Sequence, residues 1–492
     1  MIDRGTLMNR VGHEWRAAKA GITVPIRDPA TGDLLAAMPL STADEVDEAV
    51  RSAAAAFPAW RRTPPGERIQ PLFRLKALLD AHLGELARII TRECGKTLAE
   101  SEAELKRGIE NVEVAAGIPS LMMGAALEDI ANGIDETMIR QPLGVVGVIT
   151  PFNFPAMIPL WFLPYAIACG NTVVLKPSDK TPMTMNRIFE LMEEAGVPGG
   201  VVNLVNGGQD TVNAIIDHPD VRAISFVGST PVAKLVYSRA ASNGKRAQCQ
   251  GGARNPVVVL PDADMEMTCR IIADSAFGCA GQRCLASSVA VTVGDASAPF
   301  FKRITESAAV RKVGNGLDTG IEMGPVISAQ SRQRIEALIE QAIAGPTLAL
   351  IDGRSAQISG CEAGNFLRPT VLADVHPSSD LARTEVFGPV LSVIRATSLE
   401  DAIDIVNRSA YGNMACLFTN SGSAARQFRH EVRTGNVGIN LGVAAPMAYF
   451  PFSGWKDSFF GDLHAQGSDA IDFFTEKKVI VERWPSDWSR KF

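Results

Sequence analysis

Histidine and tyrosine are scarce here, six and four among 492 residues. The histidines, His13, His82, His218, His376, His430 and His464, never fall at the HxxxH spacing that sets two imidazoles on one helical face. No CxxC pair occurs either, so both common zinc signatures are missing and no metal site is expected. The eight cysteines follow no regular framework, and the opening MIDRGTLMNRVGHEWR is charged where a secretory leader is apolar. A reducing cytoplasm is the expected compartment. The net charge of −6 lacks the basic excess of a nucleic-acid or anionic-membrane binder, so neither partner is expected. Strict GxGxxG and P-loop patterns are absent too.

What is present is ordinary globular composition, 46% apolar and 21% charged, in a chain long enough for more than one domain. The 35 residues from 141 to 175 carry no charge, a length that would suit a membrane span. Pro155, Pro159 and Pro164 interrupt that run, and the flanking GVVGVIT and NTVVLKP are short β-branched segments, so it reads as strand, loop, helix, strand. From about 140 to 260, strands VVGVIT, TVVLK, VVNLV, AISFVG and KRAQCQ alternate with helical segments, the signature of βαβ units and a mostly parallel sheet. A second alternation, from NPVVVLP to GPVLSVIRA, predicts another α/β lobe. Ahead of both, a helical N-terminal region is expected, with STADEVDEAVRSAAAAFPAW opening on a Ser/Thr cap. Residues around 127–143 read as a projecting hairpin, and FFTEKKVIVERWP as a charged strand that pairs with it or with another chain.

Ligands of open parallel sheets sit at strand carboxyl ends, which selects TPFNFP, LKPSDKTP, NGGQD and FVGST. Gly228 and Ser229 open a helix whose free N–H groups suit a phosphate, although Ser229 also reads as a plain helix cap. In FGCAGQRCLAS, Cys279 and Cys284 are either small buried residues or, for one of them, a nucleophile.

Taken together, TPFNFPAMIPLWFLPYAIACGNTVVLKPSDKTP, ISFVGSTPVAK, QGGARNP, GCAGQRCLAS, TEVFGPVLSV and GINLGVAAPMAYFPFSGWKDSFFGDLH occur in the order and spacing of the aldehyde dehydrogenase superfamily, which the chain resembles from about residue 20. The resemblance implies the aldehyde dehydrogenase-like α/β fold: a Rossmann-like NAD-binding lobe of residues 1–126 and 144–250, with 441–465 returning near it, a catalytic lobe of 251–440, and oligomerisation segments at 127–143 and 466–492 that build a homotetramer, a dimer of dimers. It makes Cys284 the nucleophile and leaves Cys279 to packing. The side-chain amide of Asn153 and the Cys284 N–H become the oxyanion donors. NAD is expected against Thr150, Phe152, Lys176, Asp179, Gly207, Gly228, Ser229, Glu385 and Phe387, the acidic Asp179 disfavouring a 2′-phosphate. Read without the resemblance, Lys176 is a solvated loop lysine and Arg107 a surface ion-pair residue.

Where hydrolytic members carry a glutamate that activates water, this chain has Gln250, and a second such position falls near Leu463. An amide cannot take that proton, which leaves a thiol as the simpler acyl acceptor, unless Asp462 or His464 substitutes as base. With GQRC and ELKRGIENVE, this resembles the CoA-acylating methylmalonate-semialdehyde dehydrogenase branch, whose arginines match Arg107 and Arg283 and hold a substrate carboxylate. NAD and coenzyme A are then cofactor and co-substrate for malonate or methylmalonate semialdehyde. GARNP in place of the branch's usual GAKNH is a departure. The alternatives are a hydrolytic aldehyde dehydrogenase with a relocated base and a catalytically silent protein on the same scaffold.

Overall fold

A computed structural model describes residues 5–484; the outermost residues of the expected segments 1–126 and 466–492 lie outside that range. Two large sheets organise the chain. In the first, five parallel strands run in the order Val202–Leu204, Thr172–Lys176, Val145–Ile149, Val221–Val227, Arg246–Gln250. By chain position this is 3-2-1-4-5, the doubly wound order, and its switch point lies between Val145–Ile149 and Val221–Val227. These strands are β-branched and almost wholly buried because helices cover both faces. The helix Ala43–Trp60 begins with a capping box from Thr42 and Glu45. It lays Val46, Ala49, Val50 and Ala53, at the i, i+3, i+4, i+7 spacing of one helical face, against this sheet with no exposure.

The second sheet contains six parallel strands, in the order Thr370–Ala373, Val390–Ala396, Ser287–Val293, Asn255–Val259, Met414–Phe418, Asn436–Ile439, with Leu348–Ile351 antiparallel at one edge. A separate antiparallel sheet joins the hairpin Ala125–Ala131 and Ile134–Pro142 to the strand Thr475–Glu482, paired from Thr475↔Pro142 to Glu482↔Asp135. The uncharged run resolves into strand, two short helices and strand. Among the described residues no helix is long and apolar enough to cross a membrane.

The helix expected from STADEVDEAVRSAAAAFPAW forms, whereas the residues before it depart from the helical expectation. Four short strands, Asn9–Val11, Glu14–Arg16, Thr23–Arg27 and Leu34–Pro39, precede the first helix. Asn9–Val11 joins the large sheet through Arg10↔Leu204, a pairing across nearly 200 residues that leaves no local periodicity to read.

The carboxyl edge of the first sheet faces the amino edge of the second, and a buried ion pair ties the loops between them. Lys96 donates to Glu104 at 2.7 Å and to the Asn153 carbonyl at 2.6 Å, and its ammonium lies 4.0 Å from the centre of the Phe154 ring. Glu104 accepts in turn from the N–H groups of Ala156 and Met157. Lys96→Met leaves that carboxylate buried without its cation, at a cost of about 3–5 kcal/mol. The expected result is a clearly lower thermal midpoint; an unchanged one contradicts the role given to the pair.

Candidate active site

The turn 278–284 carries the sulfur. Cys279, Ala280 and Gly281 take successive left-handed conformations, with φ of 49°, 51° and 69°. At Gly281 a Cβ would stand 2.1 Å from the Gly388 carbonyl oxygen, so only glycine fits. Cys279 is buried, and its N–H donates to Glu100 Oε1 at 2.6 Å. Five residues on, half-buried Cys284 faces a cavity of about 70 Å³ lined by Arg107, Phe154, Trp161, Arg283, Pro446 and Phe452, among others. Burial pushes its thiol up to about 12, Glu385 adds to the rise, and the N–H dipoles of Cys284 and Leu285 oppose it. The geometry thus separates the two cysteines, one packed behind the turn and one open to a cavity.

Both predicted arginines line that cavity. Arg107 bonds Glu110 at 2.7 Å and the Pro446 carbonyl, so the ion-pair reading is true of it yet incomplete. Arg283 bonds Glu100 at 3.2 Å. Burial works against its charge, but Cys279 and Glu100 more than offset that and hold the guanidinium above its ordinary range.

Asn153 sits at the carboxyl end of Val145–Ile149 and donates from Nδ2 to the Gln282 carbonyl at 3.0 Å. Its second amide hydrogen remains for an oxyanion. Gln250 ends its strand buried, with Nε2 donating to the Phe452 carbonyl at 3.0 Å. It thereby braces a wall of the cavity. The His464 ring nitrogens face the Asp469 carboxylate and the Gly454 carbonyl, and the ring stacks on Phe459.

The expected dinucleotide residues line the switch point and the facing edge. Ser229 occupies the N-cap of the helix Thr230–Ser242 but makes no side-chain cap bond, against the plain-cap reading, which leaves first-turn N–H groups for an anion. Lys176 is buried, contrary to the solvated reading, and burial pulls its ammonium down to about 8 against the opposing charge of exposed Asp179. The Thr150 N–H bonds the Lys176 carbonyl at 3.2 Å. Gly207 lies in the loop after Val202–Leu204, and Gly228 directly follows the strand Val221–Val227. Phe152 and Phe387 meet edge-on across the interlobe gap, ring centres 5.8 Å apart. Glu385, half-buried, accepts from the Ala253 N–H at 2.8 Å, and burial raises its carboxyl to about 7. A buried lysine and an uncapped helix start suit the phosphates and ribose of a dinucleotide.

Sequence reasoning missed Lys96, Glu100, Glu104, Asn255 and Asn413. A signal existed for two of them. Thr97 and Glu100 form a capping box at the start of the helix Leu98–Ala116, and Glu100, Glu104, Arg107 and Asn111 recur at helical spacing on a face an ordinary helix would fill with apolar side chains.

The aldehyde dehydrogenase family model matches residues 15–480. This chain belongs to the aldehyde dehydrogenase family. It is 48% identical over 479 residues to malonate-semialdehyde dehydrogenase 2 of Geobacillus kaustophilus, covering 97% of this chain and 99% of the relative. The structure of methylmalonate-semialdehyde dehydrogenase from Oceanimonas doudoroffii superposes with a TM-score of 0.97 at 42% identity, covering 99% of this chain and all of the other. An NAD complex from Sinorhizobium meliloti, described as a methylmalonate-semialdehyde dehydrogenase, does so with a TM-score of 0.96 at 41% identity over 98% of each chain.

Two outcomes are expected within the family's chemistry. Asn153→Ala should lower kcat by about 10²–10³-fold with a small change in KM, and steady-state kinetics showing a near-normal kcat would contradict its role. Arg107→Leu should raise KM for carboxylated aldehydes at least tenfold and leave propanal almost unchanged; an equal loss for both substrates would contradict carboxylate recognition.

Proposed function

We propose that this enzyme oxidises malonate or methylmalonate semialdehyde with NAD and transfers the acyl group to coenzyme A. The observation that carries the reading is Gln250: the position of the hydrolytic base holds an amide whose N–H is committed to the Phe452 carbonyl. The cavity offers the substrate's carboxylate two cations, Arg107 and Arg283, among mostly apolar walls.

Cys284 thiolate adds to the aldehyde carbon, and the carbonyl oxygen takes the negative charge beside the Asn153 amide and the Cys284 N–H. NAD, when bound, supplies the acceptor for the hydride lost as this adduct becomes a thioester. The β-carboxylate leaves as carbon dioxide, and the resulting carbanion picks up a proton. Coenzyme A thiolate then attacks the thioester carbon and expels Cys284 thiolate, giving acetyl-CoA or propionyl-CoA. A thiol ionises several units below water, so this step needs no strong neighbouring base. Lys176, Ser229 and the Gly207 and Gly228 turns would hold the adenosine and phosphate portion, with Glu385 and Phe387 at the nicotinamide end. The negative charge of exposed Asp179 would repel a 2′-phosphate.

One observation favours a hydrolytic alternative. Glu385, raised to about 7 by burial, is poised to take a proton near neutral pH. For assembly we propose a dimer of dimers built on the three-stranded sheet, where Leu127, Ile130, Val479 and Val481 are exposed, in a cytoplasmic enzyme.

The deciding assay incubates the enzyme with malonate semialdehyde and NAD, with and without coenzyme A. Acetyl-CoA as the main product, with turnover dependent on coenzyme A, is expected. Free acid formed at the same rate without coenzyme A, and lost in Glu385→Gln, establishes the alternative instead.

A further inference from the structure

Cys284 is held by two side chains that never reach the cavity. Asn255 and Asn413 both donate from Nδ2 to the Cys284 carbonyl oxygen, at 2.8 and 3.0 Å. They come from neighbouring parallel strands: Asn255 opens Asn255–Val259, and Asn413 immediately precedes Met414–Phe418. Asn255 also donates to the Ala286 carbonyl at 3.0 Å, so its single nitrogen ties both ends of the 284–286 segment. Both amides are 2–3% exposed, and in both the Oδ1 is buried without a hydrogen-bond partner. Turning either amide over would bring that oxygen against the Cys284 carbonyl oxygen, so the donor orientation is fixed at the cost of two unsatisfied acceptors.

The consequence follows from peptide geometry. Like all the described peptide bonds, 284–285 is trans, so its C=O and N–H point in opposite directions. With the carbonyl clamped by two donors, the Leu285 N–H is aimed away from them, and it is among the groups that favour the ionised Cys284 sulfur. A carbonyl that accepts two hydrogen bonds also polarises the N–H of the same peptide and strengthens what that N–H donates. We infer that Asn255 and Asn413 are positioning residues that stabilise the Cys284 thiolate through the 284–285 peptide, without touching the sulfur or the substrate. The inference rests on the reading of Cys284 as the nucleophile.

The test is the pH dependence of Cys284 alkylation by iodoacetamide in the full-length enzyme, followed by mass spectrometry of the peptide containing residue 284. In this reaction the thiolate displaces iodide, so its rate follows the ionised fraction. Asn413→Leu and Asn255→Ala should each move the alkylation midpoint upward by roughly 0.5–1 pH unit and slow alkylation at pH 7 about three- to tenfold, while NAD still binds by calorimetry. A merely structural role would lower the thermal midpoint and leave the alkylation midpoint in place, and that result overturns the inference. Asn413→Ser, a smaller change that keeps a hydroxyl, decides in place of either variant that fails to fold. An unmodified enzyme whose Cys284 never reacts would overturn the nucleophile reading itself, which separates the two failures.

Discussion

A sulfur shut between two sheets resists becoming an anion, and much of the site answers that constraint. Burial pushes the Cys284 thiol up to about 12, and the Glu385 carboxylate adds to the resistance. Against this stand dipoles rather than a paired base: the N–H groups of Cys284 and Leu285, with the Arg283 charge one residue away. Such donors cost no reorganisation when charge develops, provided the backbone presenting them cannot turn. Fixing that backbone is the work of residues remote from the reaction.

The fixing elements converge from both lobes. The helix Leu98–Ala116 supplies Glu100 to the Cys279 N–H and Arg283, Glu104 to the segment after Asn153, and Arg107 to the cavity. The second sheet supplies Asn255 and Asn413 from its amino edge. Three successive left-handed residues and several unsatisfied buried amide oxygens show stability given up around the turn, as strained segments at functional sites commonly do. The dinucleotide loops follow the rule for open sheets, at strand carboxyl ends, whereas Cys284 and Glu385 lie at the amino edge of theirs. Placing the two edges face to face is what brings the Asn153 amide of one lobe to the Cys284 turn of the other.

Much of this was legible in the residues. Alternating β-branched strands and helices announced two parallel sheets, prolines ruled out a membrane span in the uncharged run, and the hairpin with its C-terminal partner strand was visible as charged, alternating sequence. The loops after Val145–Ile149 and Val221–Val227 followed from topology alone. What stayed hidden depends on distant pairing: the Asn9–Val11 strand, the Lys96–Glu104 pair with its bond to Asn153, and the amide of Asn413 reaching back 129 residues to Cys284. An asparagine at the start of a strand looks like any turn residue until the fold shows which carbonyl it meets.

In the proposed reading, position 250 decides where the acyl group goes. That reading rests on an amide at 250 that braces the Phe452 carbonyl, with the His464 ring turned to the Asp469 carboxylate and the Gly454 carbonyl. The most direct measurement is intact-protein mass spectrometry of the enzyme acylated at Cys284, followed in time with and without coenzyme A. The account predicts an adduct that persists in buffer and disappears at least tenfold faster when coenzyme A is added. An adduct discharged equally fast by water alone would contradict it.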